Sequence, residues 1–400
     1  MEQRLKANIL KLYLIKIAKW FMLFMPIIVL FYQENGLAMQ DIFTLKAVYS
    51  VAIVVFEIPS GYLADYLGRK KSLIIGTSLG FLGFIIYDFS FGFWSFLAAE
   101  LTLGFGQSLV SGADSAMLYD SLKAFGKKDQ YLKYEGRMVS IGNFAEAVAG
   151  ILGGLLAEIS LRAPFYGQTA IAFIGIPAAL LLVEPVRYQK MSRMRFMDII
   201  GIVKYSLFKS RHLKWTIFYS AIIGTTTLTM AWFVQPYFKM VELPLTMFGV
   251  FWALLNLSVG ITSYYAHKLE YRLGQYKSIL FITAIIPALY IIVGNINALW
   301  GISILFIFYL VRGFATPILK DYINRLTESN IRATVLSVRN FVIRILFAGI
   351  GPFLGWYTDN FSLSSALKLA GITFLTIASV TMFFFLKSRK HAEKIGNKEI

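Results

Sequence analysis

The sequence predicts an all-α membrane protein of twelve transmembrane helices, arranged as two pseudo-symmetric six-helix bundles. Three observations carry this: long apolar runs, a one-sided distribution of Lys and Arg, and a weak repeat between the two halves. The 400 residues are 57% hydrophobic and 15% charged, and the mean hydropathy is +0.64. That composition is too apolar to clothe soluble domains of this size. A helix needs about 20 apolar residues to cross a hydrocarbon layer of about 30 Å. Twelve runs qualify, at roughly 10–32, 41–62, 72–91, 94–118, 137–158, 165–184, 213–238, 246–267, 277–295, 298–319, 334–357 and 365–386. The runs are long and unalternated, and a helix satisfies its own backbone polar groups in lipid, so helices rather than strands are expected.

The basic residues sort by side. Taking the N-terminus and every second loop as one side, with span-edge residues counted to their loop, that side holds 30 Lys and Arg. The opposite loops hold 2, Arg162 and Lys239, and 7 lie within spans. This asymmetry places both termini in the cytoplasm, with the chain in a cytoplasmic (inner) membrane. It also accounts for the net charge of +17 without nucleic acid, because the basic loops face an anionic leaflet of membrane lipid. The first run is followed by Gln33-Glu34-Asn35-Gly36, not by a small-residue cleavage site, and reads as a retained helix. Four segments follow: a six-helix bundle over 1–184, a basic central loop over 185–212, a second bundle over 213–387 and a basic tail over 388–400.

The halves resemble each other at matching places. Leu67-Gly68-Arg69-Lys70-Lys71-Ser72-Leu73 follows the second span and Leu273-Gly274-Gln275-Tyr276-Lys277-Ser278-Ile279 the eighth. Ser140-Ile141-Gly142-Asn143-Phe144 opens the fifth span and Ser337-Val338-Arg339-Asn340-Phe341 the eleventh. Parallel half-repeats with a site between them are a recurring transporter plan.

Composition excludes several chemistries. There is no Cys, hence no disulfide, thiolate or Cys-based metal site. His212, His267 and His391 lie beside charged residues and read as solvated. No G-x-x-x-x-G-K-[ST] loop is present for a nucleotide. No span carries a central His that could serve a membrane-embedded transferase. No cofactor and no enzymatic activity are expected.

The second span ends Gly61-Tyr62-Leu63-Ala64-Asp65-Tyr66-Leu67-Gly68-Arg69-Lys70, which resembles the loop 2–3 signature of the major facilitator superfamily, G-x-L-A-D-x-x-G-R-K. The resemblance is to bacterial twelve-helix multidrug and metabolite transporters. It implies a gating latch of Gly61, Asp65, Gly68, Arg69 and Lys70, in which Asp65 faces the N-terminus of the eleventh helix and Arg69 pairs with an acid ending the fourth, here Asp120. Two departures weaken the drug–proton antiporter reading. Glu100 stands where many members carry Arg before Gly104-Phe105-Gly106. The fifth span reads Ala149-Gly150-Ile151-Leu152-Gly153-Gly154, without the proline of the antiporter motif.

The resemblance also implies that the first, fourth, seventh and tenth helices line a central cavity. Glu100, Gly104, Gln107, Ser111 and Asp114 recur at helical spacing along the fourth span. Thr225, Thr229 and Trp232 do so in the seventh, and Tyr309, Arg312 and Thr316 in the tenth. With Lys19 of the first span, the solute path is read as Lys19, Glu100, Gln107, Asp114, Thr229, Trp232, Tyr309 and Arg312. The alternative is hydrogen bonding that only joins helices. The acids favour a cationic solute; Lys19 and Arg312 favour an anionic one.

Glu146 falls near the middle of the fifth span, on a face with Gly142, Ala149, Gly150 and Gly153. Glu146 or Glu100 is read as the carrier of a coupled proton, with a structural pair between Glu146 and Arg344 as the alternative for the first. Arg339 is expected near the cytoplasmic boundary. Taken together, the sequence is read as a proton-coupled efflux transporter of a small drug-like or amphipathic solute, working by alternating access as a monomer. Import of a metabolite or organic anion is the alternative.

Overall fold

The computed structural model describes residues 2–185, 201–328 and 331–396, with side chains except at 2, 57–66, 132, 333 and 390–396. The chain divides into two compact units. The first is Met1–Met191 with Pro244–Ala253, and the second is Ser192–Leu243 with Leu254–Ile400. The described residues form no strand.

The first unit contains α1 (Glu2–Trp20), α2 (Ile28–Glu34), α3 (Met39–Leu67), α4 (Arg69–Asp88), α5 (Phe93–Val110), α6 (Ala113–Ala124), α7 (Tyr131–Ala157) and α8 (Ala163–Leu180). The chain continues with α9 (Arg211–Met240), α10 (Leu245–Val293), α11 (Gly301–Arg325), α12 (Arg332–Asn360) and α13 (Leu363–Gly396). Among the described residues nine helices are long and apolar enough to cross a membrane. One of these, α10, holds two spans joined at Gly274, where φ is +75°. The first and fourth spans, each built from two shorter helices, complete the twelve.

Those two spans depart from the sequence reading, which took 10–32 and 94–118 as single helices. The first is interrupted between Trp20 and Ile28. Pro26 lies in the interruption; it has no N–H to donate, and it disfavours helical geometry at Met25. The freed Leu23 N–H donates to Gln168 Oε1 of α8 at 3.0 Å, so a neighbouring side chain replaces the lost ladder bond. The fourth span breaks where Ser111 turns extended and Gly112 adopts φ +80°, a conformation natural to glycine. The polar stripe read along 94–118 therefore changes direction before Asp114. His212, read as solvated, is half-buried; it stacks on Phe385 at 5.6 Å and shares a hydrogen bond with Ser388 at 3.1 Å.

Each end of the first unit has its own core. At the basic end, Leu12, Ile15, Leu73, Met117, Leu118, Met138 and Ala179 form one buried cluster. Asn8 staples it: its Nδ2 donates to Ser121 Oγ (3.0 Å) and the Val183 carbonyl (2.8 Å), and its Oδ1 accepts the Val183 N–H (3.0 Å). At the opposite end, Phe31, Tyr32, Tyr87, Phe96 and Phe165 stack with centroids 4.1–5.6 Å apart, contacts that add about 0.5–1.5 kcal/mol each beyond burial. Arg162 closes that end. Its guanidinium donates to the Tyr87, Asp88 and Ser90 carbonyls and to Asn35 Oδ1 at 2.7–3.2 Å. The α7 helix uses its glycine face for contact. A Cβ at Gly153 would stand 1.8 Å from the Leu23 carbonyl oxygen, so only glycine permits α7 to cross the interruption at that depth. Pro244–Ala253 joins this unit by a similar approach, since a Cβ at Gly249 would stand 2.1 Å from the Gly150 carbonyl oxygen.

In the second unit, Leu213, Ile217, Ala221, Ile323, Val335 and Val342 make a buried cluster. Part of the segment read as the central loop belongs to it. Residues 201–209 are helical, and Ile202 and Leu207 pack on this cluster; residues 186–200 lie outside the described residues.

Candidate gate and translocation site

Gly68 separates α3 from α4 with φ +96° and ψ 151°, so α4 starts without an intervening loop. Its free N–H groups meet a carboxylate: Glu184, just after α8, accepts the Arg69 N–H through Oε1 (3.0 Å) and the Lys70 N–H through Oε2 (2.7 Å). An anion at a helix N-terminus is favoured by both the unpaired donors and the helix dipole. The Arg69 guanidinium forms an ion pair with Asp120 of α6 and also donates to the Ala116 carbonyl. Thus Gly68, Arg69, Lys70 and Asp120 meet at one end of the first unit. Gly61 and Asp65 fall in α3 outside the residues whose side chains are described.

Glu100 is 2% exposed. Its Oε1 accepts hydrogen bonds from Tyr32 (2.7 Å), from Tyr87 and from the Lys46 ammonium. Lys46 Nζ also lies 5.1 Å from the centroid of the Tyr32 ring. Four elements, α2, α3, α4 and α5, therefore converge on one carboxylate. With the Lys46 and Glu100 side chains 7% and 2% exposed, this is a buried pair whose partners each need the other.

After the break in the fourth span, Asp114 opens α6 and is buried. Its Oδ1 accepts the Ser115 N–H at 2.8 Å, and Lys19 of α1 is the cation within its electrostatic reach. The neighbouring Ser115 hydroxyl donates to Glu135 Oε1 of α7 at 2.7 Å, and the second Glu135 oxygen is buried without a hydrogen bond. The first unit thus gathers Lys19, Asp114 and Glu135 on adjoining elements at the interrupted fourth span. Gln107 is half-buried on α5, and Glu146 is half-buried on α7.

In the second unit, the Thr225 and Thr229 hydroxyls donate to the Ala221 and Thr225 carbonyls of their own helix, both at 2.9 Å. Trp232 is half-buried beyond them. Tyr309 is fully buried, with the Arg312 guanidinium 5.3 Å from its ring centroid, and the Thr316 hydroxyl donates to the Arg312 carbonyl at 2.9 Å. Arg339 is only 5% exposed. Its Nε donates to Ser220 Oγ (2.5 Å) and its Nη1 to Asn340 Oδ1 (3.2 Å). The helix starts at Arg332, so Arg339 lies about two turns inside α12, against Ser220 of α9.

Residues 13–352 match the Major Facilitator Superfamily. The chain belongs to that superfamily. The quinolone resistance protein NorA of Staphylococcus aureus (strain MSSA476) is 21% identical over 208 residues, 52% of this chain and 50% of NorA. The chain thus spans about half the length of the NorA proteins it matches. The class H tetracycline resistance protein of Pasteurella multocida is 22% identical over 373 residues, 88% of each chain. Among solved structures, the nucleoside transporter NupG superposes with a TM-score of 0.76 at 15% identity, covering 96% of this chain and 98% of NupG. A bacterial homolog of the human lysosomal transporter Spinster gives 0.72 at 14%, covering 96% and 97%. At these identities the structural likeness is one of fold.

As a superfamily member the chain has a multi-pass, all-helical membrane architecture. Three charged residues central to its geometry were not singled out from the sequence. Lys46 had a signal, a lone cation in an apolar run. Glu184 had a weaker one, an acid before Pro185 where the sixth span ends. Glu135 had none, because α7 begins six residues before the fifth span was expected.

Proposed function

We propose that this superfamily member is a proton-coupled secondary transporter that exports a small amphipathic or drug-like solute by alternating access. The proposal places it in a cytoplasmic membrane as a monomer, with both termini inside and with the bundles 1–184 and 213–387 as the alternating halves. The observation that carries the reading is the grouping of buried and half-buried ionisable residues in the first unit, Lys19, Asp114 and Glu135, at a broken transmembrane helix. Ionisable groups inside spans are costly and characteristically serve solute or proton pathways, and irregular backbone at membrane depth is tolerated where it lines such a pathway. The resistance proteins among the relatives, each exceeding 20% identity, support export; the basic-side asymmetry supports the orientation. Glu146 is the preferred proton carrier. Glu100, enclosed by Lys46, Tyr32 and Tyr87, fits better as an anchor of the first unit. Lys19, Gln107, Asp114, Thr229, Trp232, Tyr309 and Arg312 remain the proposed solute path, and Gly61, Asp65, Gly68, Arg69, Lys70 and Asp120 the proposed latch.

The test is solute-driven proton movement in proteoliposomes carrying an internal pH dye, with cationic amphiphiles, organic anions and amino acids added in turn. A saturable, solute-triggered pH change lost in Asp65→Asn and in Glu146→Gln is the expected result. A full response in Glu146→Gln removes that residue as the carrier. No response to any solute from folded protein removes proton coupling.

A further inference from the structure

The six spans of the second half, as delimited above, contain no Asp or Glu, yet they hold Arg312, Arg339 and Arg344. The first half balances its intramembrane charges, with Lys46 on Glu100 and Lys19 facing Asp114. The second half has no such balance. Arg339 is the extreme case. It is 95% withdrawn from solvent, its hydrogen bonds go to the neutral oxygens of Ser220 and Asn340, and no carboxylate pairs with it among the described residues. Two acids of the second unit are engaged elsewhere: Asp321 pairs with Arg325 at 2.6 Å, and Glu270 accepts the Tyr322 hydroxyl at 3.2 Å. The charge within electrostatic reach of Arg339 is instead another cation, Lys320 of α11, which is exposed.

A buried guanidinium beside an ammonium, with no counter-charge, is costly to maintain. Such an arrangement becomes favourable when an anion sits between the two groups, because planar guanidinium donors and a mobile ammonium together match carboxylate or phosphate oxygens. Lys320 also lies eight residues beyond Arg312 on α11, about 80° around the helix at 100° per residue. Arg312, Thr316 and Lys320 thus follow one side of α11 and lead from Tyr309 toward Arg339.

We infer that the translocated solute carries an anionic group and that Arg339, with Lys320 beside it, binds that group in the second unit. This rests on the transporter reading above and narrows its solute to amphipathic anions or zwitterions. Arg339 supplies the fixed recognition element, already oriented by Ser220 and Asn340. Lys320 supplies the accessible charge that an incoming anion meets first.

The test uses purified full-length protein and the thermal shift produced by matched aromatic probes: 1-naphthoate and phenyl phosphate as anions, 1-naphthamide as the neutral analogue and 1-naphthylmethylamine as the cation. Sodium chloride and inorganic phosphate are titrated alone. Ligands that bind only the folded state stabilise it by an amount that grows with the logarithm of one plus the ratio of ligand concentration to Kd. The expected result is stabilisation by an organic anion, with apparent affinity at least tenfold tighter than for the amide or amine. Lys320→Gln should weaken anion binding severalfold, Arg339→Gln should abolish the preference for anion over amide, and Arg339→Lys should keep part of it. Equal or tighter binding of the amine overturns the inference, as does failure of every organic anion to stabilise the protein. An anion preference unchanged in both Lys320→Gln and Arg339→Gln overturns it too, and Lys320→Gln, at an exposed site, retains this force if the arginine variants do not fold. Protection by chloride or phosphate equal to that by naphthoate reduces the site to an inorganic-anion site and overturns the solute assignment. Proton movement is read separately: its absence with intact anion selectivity sinks the coupling reading alone, and lost selectivity with intact coupling sinks this inference alone.

Discussion

Glu184 and Arg69 join the end of the sixth span to the start of the third: one Glu184 oxygen takes the Arg69 N–H at 3.0 Å while the other takes the Lys70 N–H at 2.7 Å. The bond places an anion on the first turn of α4, at the same end where the Arg69 side chain reaches Asp120. In Glu184→Gln an amide NH2 replaces one acceptor and the charge is lost. The capping contribution at stake is about 1 kcal/mol, reduced by the exposure of Glu184. A drop of a few degrees in the thermal unfolding midpoint of purified protein is expected. Glu184→Asp, too short to span both N–H groups, should recover only part of it. An unchanged midpoint in Glu184→Gln would show that the cap adds nothing to stability.

The Lys46–Glu100 pair makes a stronger prediction. Removing one member leaves a buried charge uncompensated, at about 3–5 kcal/mol. Lys46→Met and Glu100→Gln should therefore each shorten the half-life of the detergent-solubilised protein at fixed temperature by well over tenfold. Lys46→Met combined with Glu100→Met should be markedly less damaging than the sum of the two, because apolar groups of similar length can replace a buried pair. Strict additivity of the two single effects would show that the residues do not depend on each other.

The interruption of the first span predicts a contrast between glycines. A Cβ at Gly153 would overlap the Leu23 carbonyl oxygen, whereas nothing lies within 4 Å of a Cβ at Gly80. Gly153→Ala should lower the yield of folded protein sharply or shift its melting by many degrees. Gly80→Ala should be neutral or slightly stabilising, since alanine favours the helix by roughly 0.5–1 kcal/mol. Equal tolerance of both substitutions in a size-exclusion and thermal-stability assay would contradict the packing of α7 across Leu23.

Arg162 is the organiser of the opposite end of the first unit, with four acceptors and two rings, Phe31 at 5.0 Å and Phe91 at 4.3 Å, around its guanidinium. Arg162→Lys keeps the charge but loses the fork and the stacking. A loss of about 1.5–3 kcal/mol is expected, in line with hydrogen bonds to charged groups, and Arg162→Gln should lose more. The readout is the rate of proteolysis in the 159–163 turn. Cleavage no faster in Arg162→Lys than in the parent would refute the role.

The fold class was legible because lipid enforces a crude rule, apolar length, that survives any detail of packing. The Arg69–Asp120 pair was legible through the family resemblance, which implies that the arginine of the loop motif meets an acid ending the fourth span. The repeat between halves was legible in outline, and the structure gives it a conformational basis. Gly68 has φ +96° and ψ 151° and Gly274 has φ +75° and ψ 159°, so the same unusual backbone recurs after the second and the eighth spans. What escaped was local backbone geometry and pairing across distance. Hydropathy does not register that Gly112 leaves the helix, although Pro26 offered a hint in the first span. No periodicity along one span could bring Lys46 to Glu100, or set Arg339 against Ser220. Partners of buried charges are set by how helices rotate against one another, and a single sequence records each helix face without recording what it faces.

The interruption between Trp20 and Ile28 has a mechanical consequence. A continuous helix resists bending along its whole length, so a displacement at one end is transmitted to the other. Here the ladder of backbone bonds stops after α1 and resumes at α2, and side chains hold the stretch between instead, Gln168 at the Leu23 N–H and Phe84 and Phe165 against Phe24. The two rods are moored separately, α1 through Asn8 to Ser121 and Val183, α2 through Phe31 and Tyr32 to the aromatic cluster. Compliance is therefore concentrated in seven residues, and either mouth of the first unit can tilt its own half of the first crossing while the other half stays seated.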